Sequence, residues 1–260
     1  MSQVEEFRAQ VRRNIDGLGQ DKDMRDLSRI WLRDSLKHQY TYNFQWLSRP
    51  IIQYPQDILA MQELVWQIRP DLIIETGIAH GGSLIMSASM LALLDYCDAV
   101  EAKRVLDPLR TKRRVLGIDI DIREHNRTAI ESHPLSNHIQ MVQGSSVDPE
   151  VISGVRKAAQ EAGTVLVCLD SHHTHAHVLA ELEAYASLVT PGSYCIVFDT
   201  VIEDLPGDTY PNRDWGCGNN PKTAVWEFLK SHPEFEIDKS MENKLSITVA
   251  PDGYLRRKSA

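Results

Sequence analysis

The sequence predicts an α/β fold: a Rossmann-like, doubly wound, mostly parallel sheet of seven strands with an N-terminal helical extension. Three observations predict it. Short apolar runs alternate with helix-like segments through the middle of the chain, as in successive βαβ units. The runs are continuously apolar, the pattern of strands buried on both faces. The stretch Asp71-Leu-Ile-Ile-Glu-Thr-Gly-Ile-Ala-His-Gly-Gly-Ser83 passes from such a run through a small-residue turn into a helix start. That arrangement lets backbone N–H groups approach a nucleoside cofactor closely.

Val4, Phe7 and Val11 suit one helix, and Leu27, Ile30, Trp31 and Leu36 a second. Residues 1–54 therefore read as a helical extension and 55–260 as the main domain. The aromatic segment Tyr40–Trp46 reads as a loop or short helix, either over a pocket or packed on the domain edge. Pro55 fits a first helical turn, and Ile58, Met61, Leu64, Val65 and Ile68 form one face until Pro70. Strands are expected at Leu72–Glu75, Arg114–Ile120, Ile139–Gln143, Thr164–Asp170 and Ser193–Thr200. Helices are expected near Ser83–Tyr96, Glu124–Glu131, Asp148–Ala162, His175–Leu188 and Thr223–Leu229. Residues 97–113 are charged, lack a period and read as a loop or insertion. Phe235–Asp238 and Lys244–Val249 are the expected closing strands, the last one antiparallel. Glu203–Asn220, rich in Pro, Gly and Asn, is a long loop of the kind that serves as a lid or binding loop.

The whole chain narrows the partners. A formal net charge of −8 over 260 residues opposes a nucleic-acid partner, which calls for a basic face. No run of about 18 apolar residues occurs, so no membrane span is expected. The start, Met1-Ser-Gln-Val-Glu-Glu, lacks the basic and apolar regions of a secretory signal. Cys97, Cys168, Cys195 and Cys217 form no CxxC pair, and two of them sit in apolar runs, which suits reduced thiols and a cytoplasmic location.

In a doubly wound sheet, ligands bind beyond the carboxyl ends of the strands. The expected ends here carry Glu75-Thr-Gly77, Asp119-Ile-Asp121, Gly144-Ser-Ser146, Asp170-Ser-His-His173 and Asp199-Thr200. An acid after the second strand suits a ribose diol, because a carboxylate accepts two hydrogen bonds; Asp119 is the better placed, Asp121 the alternative. Gly77 is followed by Gly81 and Gly82, which departs from the GxGxxG spacing of dinucleotide sites. Asp170 and Asp199 end neighbouring strands and could share a hard divalent cation, which would favour the alkoxide form of a bound hydroxyl. The segment 170–177 holds four of the ten histidines. It lacks both the glutamate of HExxH and a cysteine pair, so a general base near neutral pH is favoured over a zinc site.

Together, Glu75-Thr-Gly77 with Gly81-Gly82-Ser83, Gly117-Ile-Asp-Ile-Asp121, Gly144-Ser-Ser146, Leu169-Asp170 and Val197-Phe-Asp-Thr200 resemble the cephalosporin hydroxylase / rhamnosyl O-methyltransferase family over about residues 40–255. These are class I S-adenosylmethionine-dependent methyltransferases. The resemblance implies that Glu75 and the Gly77–Ser83 turn, with Gly81 and Gly82, hold the methionine portion of the cofactor. It implies that Asp119 binds the ribose, that Ser146 flanks the adenine, and that Asp170 lies near the sulfonium and helps bind Mg²⁺. The family usually carries a Glu-Asp pair after the fifth strand, often followed by Thr; here the residues are Phe198-Asp199-Thr200. Glu203 or Asp204 is then the candidate to replace the missing ligand, and the expected metal set is Asp170, Asp199 and Glu203. Related catechol-type enzymes place a lysine base three residues after the metal aspartate, and that offset here gives His173. The implied activity is methylation of a hydroxyl on a small-molecule or glycan acceptor, a sugar or polar natural product, with Asp170 and His173 catalytic. A homo-oligomer is expected, because the family tends to assemble. The rivals are a non-haem iron oxygenase built on His172 or His173 with Asp170, and a non-catalytic methyltransferase-like scaffold. A NAD-dependent dehydrogenase ranks below both because of the glycine spacing.

Overall fold

The chain builds its sheet in two passes that diverge from one central strand. The computed structural model describes residues 2–259. Two helices lead, α1 (Gln3–Gln20) and α2 (Lys22–Leu36). Ser2 and Glu5 form a capping box on α1, and Asp21 caps α2 through Met24 N. A 3₁₀ turn at Tyr40–Asn43 leads into a small antiparallel hairpin, β1 (Phe44–Trp46) and β2 (Arg49–Ile51), and then α3 (Pro55–Ile68). The repeating part follows as β3 (Leu72–Thr76), α4 (Gly82–Glu101), β4 (Arg114–Asp119), α5 (Glu124–Glu131), β5 (Ile139–Gln143), α6 (Pro149–Gln160), β6 (Val165–Leu169), α7 (His175–Tyr185) and β7 (Tyr194–Val197). The chain closes with α8 (Pro221–Phe228), β8 (Phe235–Ile237), α9 (Lys239–Leu245) and β9 (Tyr254–Arg257).

The seven-stranded sheet has the order β5-β4-β3-β6-β7-β9-β8, as the α/β, mostly parallel reading expects. β5 through β7 are parallel and β9 is antiparallel to both neighbours. Chain order reverses at β3, which pairs with β4 on one side and β6 on the other. That switch point is where a crevice opens in doubly wound sheets. Period-two alternation sorts the strands between two cores. Ile73, Val115, Leu166 and Ile196 pack with α3, α4 and the hairpin. Leu72, Ile74, Leu116 and Val167 pack with α6, α7 and α8. Leu32 of α2, Ile51 and Tyr54 belong to the first core, so the segment before α3 is fastened beside the crevice.

Three expectations change. Lys244–Val249 alternates like a strand, but the structure ends α9 at Leu245 and leaves 246–250 irregular, and the last strand is Tyr254–Arg257. The buried carboxylate of Asp57 takes the Val249 N–H at 3.0 Å and also binds the Thr248 hydroxyl, so a tertiary bond replaces a ladder bond. α4 runs to Glu101 instead of stopping near Tyr96, because Asp95 and Asp98 are held by Arg113 at 2.7 and 2.6 Å from the loop that follows. α4 is also long and apolar enough to cross a membrane by length and composition. Here Leu84, Ile85, Ala88, Leu91 and Leu94 are fully covered in the core, which accounts for its apolar character.

Candidate active site

The glycine turn is shaped by close approach of the chain to itself. Gly77 has φ 87°, and a Cβ there would lie 2.0 Å from the Asp170 carbonyl oxygen. The missing side chain lets the end of β3 lie against the end of β6. A Cβ on Gly82 would meet the Pro50 carbonyl oxygen at 2.2 Å, so Gly82 admits the hairpin onto the first turn of α4. Gly81, at φ 80°, faces Ile130. The turn is tied to β4 by Asp119, whose Oδ2 accepts from Ile78 N at 2.8 Å and Ala79 N at 3.3 Å. Asp119 Oδ1 accepts from Asp121 N at 3.0 Å, leaving the Asp121 side chain in solvent.

A cleft of about 560 Å³ opens over this turn. Its lining brings together Gly77, Gly82, Ser83, Asp170, His173 and Asp199. Gly81, Asp119 and Ser146 do not line it. Ser146 is buried, with its Oγ 3.1 Å from His177 Nε2. Glu75 lies beneath the floor, where its Oε1 accepts from the Ser83 hydroxyl. Burial pushes the Glu75 carboxyl up to about 7. Asp170 is also raised, first by burial and then by Asp199 and Glu75. Among the described residues, no lysine or arginine pairs with Asp170 or Glu75; the only hydrogen-bond partner of the Asp170 carboxylate is Gln53, whose Nε2 donates at 3.3 Å. Two buried carboxylates without a cation are costly unless a cationic ligand joins them.

Asp170, His173 and Asp199 offer ligand atoms that all lie within 4.8 Å of one another. Asp199 sits in the left-handed region at φ 56°, a conformation aspartate tolerates, where β7 turns into the 3₁₀ segment 200–204. His173 Nε2 is 3.1 Å from Asp199 Oδ2. Glu203 is not in this group, which corrects its expected place as a metal ligand. Its carboxylate accepts from Gly218 N at 2.7 Å and from the Asn220 amide, and those donors hold its pKa below the ordinary value against the effect of burial. Asp204 pairs with the buried Lys222 at 2.6 Å. Phe198 is packed in the core.

The histidine-rich segment separates into different tasks. α7 begins at His175, so His173 and His177 do not share a helical face. His172 pairs with Asp214 at 3.2 Å, and His175 Nδ1 is 2.9 Å from the Thr223 hydroxyl. Tyr210, Arg213 and Trp215 of the loop after Glu203 line the cleft, and the Trp215 ring stands 5.3 Å from that of His173. Tyr42 joins the lining from the aromatic segment before β1. Gln53 and Asp57 escaped the reading of the sequence. Gln53, between the hairpin and α3, and Asp57, in the first turn of α3, acquire meaning only once Gly82 lets that hairpin dock.

Comparison with known proteins identifies the family. The family model Rhamnosyl O-methyltransferase/CmcI matches residues 38–258. A rhamnosyl O-methyltransferase of Mycobacterium bovis is 28% identical over 204 residues, covering 77% of this chain and 73% of that protein. One from Mycobacterium leprae is 26% identical over 215 residues, covering 82% of each. Among solved structures, CmcI with Mg and SAM aligns with a TM-score of 0.55 at 20% identity, covering 84% of this chain and 78% of that one, a likeness of fold. With its matched segment, residues 38–258, spanning the whole α/β unit, the chain belongs to the rhamnosyl O-methyltransferase/CmcI family.

Proposed function

We propose that this protein is an S-adenosylmethionine-dependent O-methyltransferase acting on a hydroxyl of a sugar, of the rhamnosyl kind or a related polar glycoside. The observation that carries the reading is the juxtaposition of the Gly77–Ser83 turn with the Asp170–His173–Asp199 group in one cleft at the switch point of the sheet. Family membership and the relatives' sugar methylation support it.

The residues fit the cofactor. Glu75 and Asp170 are buried acids with no protein cation, as a positively charged ligand requires. Asp119, which lies behind the turn outside the cleft lining, uses three of roughly four acceptor positions on the N–H groups of Ile78, Ala79 and Asp121, which leaves one for the ribose role. Gly77, Gly82 and Ser83 supply the wall nearest the methionine portion. Asp170 and Asp199 provide hard oxygen donors for Mg²⁺. When bound, the cofactor supplies an activated methyl group and the divalent ion an electrostatic pull toward the alkoxide form of a hydroxyl.

The chain's own work is alignment and proton handling. Alignment of an oxygen with a methyl in one cleft can supply up to roughly 7 kcal/mol of barrier lowering. His173 Nε2 lies 3.1 Å from Asp199 Oδ2, which holds the imidazole at the cleft as the group to take the acceptor's proton; a base of this kind contributes roughly 10²–10⁴-fold. Tyr210 and Trp215 offer aromatic faces to a sugar ring, and Trp215 steadies the His173 ring edge to face. A second reading of His173, as a third metal donor through Nε2, is favoured by its distance to both carboxylates.

The test is transfer of a labelled methyl from S-adenosylmethionine to a panel of deoxysugar glycosides, with and without Mg²⁺, read by mass spectrometry. Metal-stimulated methylation of a sugar hydroxyl is expected. Cofactor binding with no turnover on any sugar would favour a non-catalytic scaffold. Iron-dependent hydroxylation without cofactor binding would replace the reading altogether.

A further inference from the structure

Beneath the main cleft lies a hollow of about 20 Å³, lined among others by Gln53, Glu75, Ser83, Ser87 and Asp170. That is room for one water or one ammonium head. Two side-chain atoms in its wall, Gln53 Oε1 and Ser87 Oγ, are buried and have no hydrogen-bond partner. Gln53 is 7% exposed and lines both the hollow and the cleft. Its amide presents Nε2 to Asp170 Oδ2, at 3.3 Å, and Oε1 is left over. An orphaned buried acceptor is destabilising until a donor arrives. Here it sits among uncompensated carboxylates, so the fitting ligand group is small, positively charged and rich in N–H donors. A sulfonium offers no N–H, and a metal ion offers none either.

We propose that Gln53 reads the α-ammonium group of S-adenosylmethionine through Oε1, with Asp170 holding the amide in register. The inference rests on the cofactor reading above and adds to it a specificity residue from outside the sheet. Gln53 reaches the hollow because the hairpin docks on Gly82, where any side chain would collide with the Pro50 backbone.

The experiment compares two probes by calorimetry: S-adenosylhomocysteine, which carries the ammonium, and 5′-methylthioadenosine, which shares the nucleoside and lacks the amino-acid head. In Gln53→Met, S-adenosylhomocysteine should bind about tenfold more weakly, as loss of a hydrogen bond to a charged group predicts. Affinity for 5′-methylthioadenosine should stay within about twofold of the original, and an unchanged melting curve should accompany both. Gln53→Asn, which withdraws the amide by one methylene, should reproduce the selective loss and serves if the Met variant fails to fold. Unchanged S-adenosylhomocysteine binding, or equal loss for both probes, would overturn the role of Gln53 while leaving the cofactor reading intact. Failure of the unmodified protein to bind either probe would overturn the cofactor reading and this inference with it.

Discussion

His173 Nε2 stands 3.1 Å from Asp199 Oδ2, beside a Phe198 that is packed into the core. The imidazole and the Asp170 carboxylate both bring a ligand atom within 4.8 Å of the Asp199 carboxylate. A base and a metal donor both fit this geometry, and they predict different measurements. If His173 is the base, His173→Ala should cut kcat by about 10²-fold or more, with metal affinity unchanged. If Nε2 is a metal donor, the metal titration itself should weaken by at least about tenfold, and Mn²⁺, which accepts imidazole more readily than Mg²⁺, should replace it efficiently. Asp170→Asn should abolish turnover in either case; a near-normal rate would remove Asp170 from the machinery.

Glu75 links the site to the pH dependence of stability. Its carboxyl is raised from 4.5 to about 7 by burial, with the Ser83 hydroxyl bond opposing. Between those values the folded chain holds a proton that the unfolded chain has lost. Stability from this group is therefore present below pH 4.5 and declines as pH rises through about 7. The change amounts to about 3 kcal/mol. The ligand-free protein should lose denaturant resistance between pH 5 and 8, and Glu75→Gln should flatten that decline. An identical slope in the variant would assign the pH dependence to other groups such as Asp57, which burial raises to about 6.

Glycine substitutions should separate backbone geometry from cofactor contact. Gly77→Ala puts a Cβ 2.0 Å from the Asp170 carbonyl oxygen at φ 87°, and should destabilise by at least about 2–3 kcal/mol even without ligand. Gly154, inside α6, has open space where a Cβ would go, so Gly154→Ala should stabilise by up to about 1 kcal/mol. Equilibrium denaturation of both variants checks the pair. A neutral Gly77→Ala would mean that the turn can shift away from β6.

The repeating core of this fold was legible because its signal is local. Leu72–Ile74 and Val165–Leu169 are apolar on both faces, and Gly77 and Asp170, just beyond these strands, meet in the cleft. The misread strand at Lys244–Val249 shows where locality ends, since Asp57 lies far away in sequence and no pattern near residue 249 announces its carboxylate. Glu203 was misassigned for a related reason. Chain direction after Thr200 depends on the left-handed turn at Asp199, which sends Glu203 toward Gly218 and Asn220. His173 was found by its offset from Asp170, whereas its proximity to Asp199 required the register of β6 against β7.

The loop between Asp204 and Cys217 is pinned at its neck and carries aromatic rings at the cleft, which predicts a separation of roles. Glu203 grips Gly218 N and the Asn220 amide, while Asp204 pairs with Lys222. Glu203→Ala should therefore leave metal affinity within about twofold and speed proteolysis within residues 205–217, because local opening of a loop tracks the bonds that close it. Trp215→Ala removes the ring that stands against His173 and Tyr210, and should raise the KM for a sugar acceptor by about tenfold, the equivalent of about 1.4 kcal/mol of lost contact, while S-adenosylhomocysteine affinity holds. Limited proteolysis with metal titration tests the first variant, and paired calorimetry and kinetics test the second. Weaker metal binding in Glu203→Ala would return that carboxylate to the metal set. Loss of S-adenosylhomocysteine binding in Trp215→Ala would move the ring from the acceptor's side of the cleft to the cofactor's.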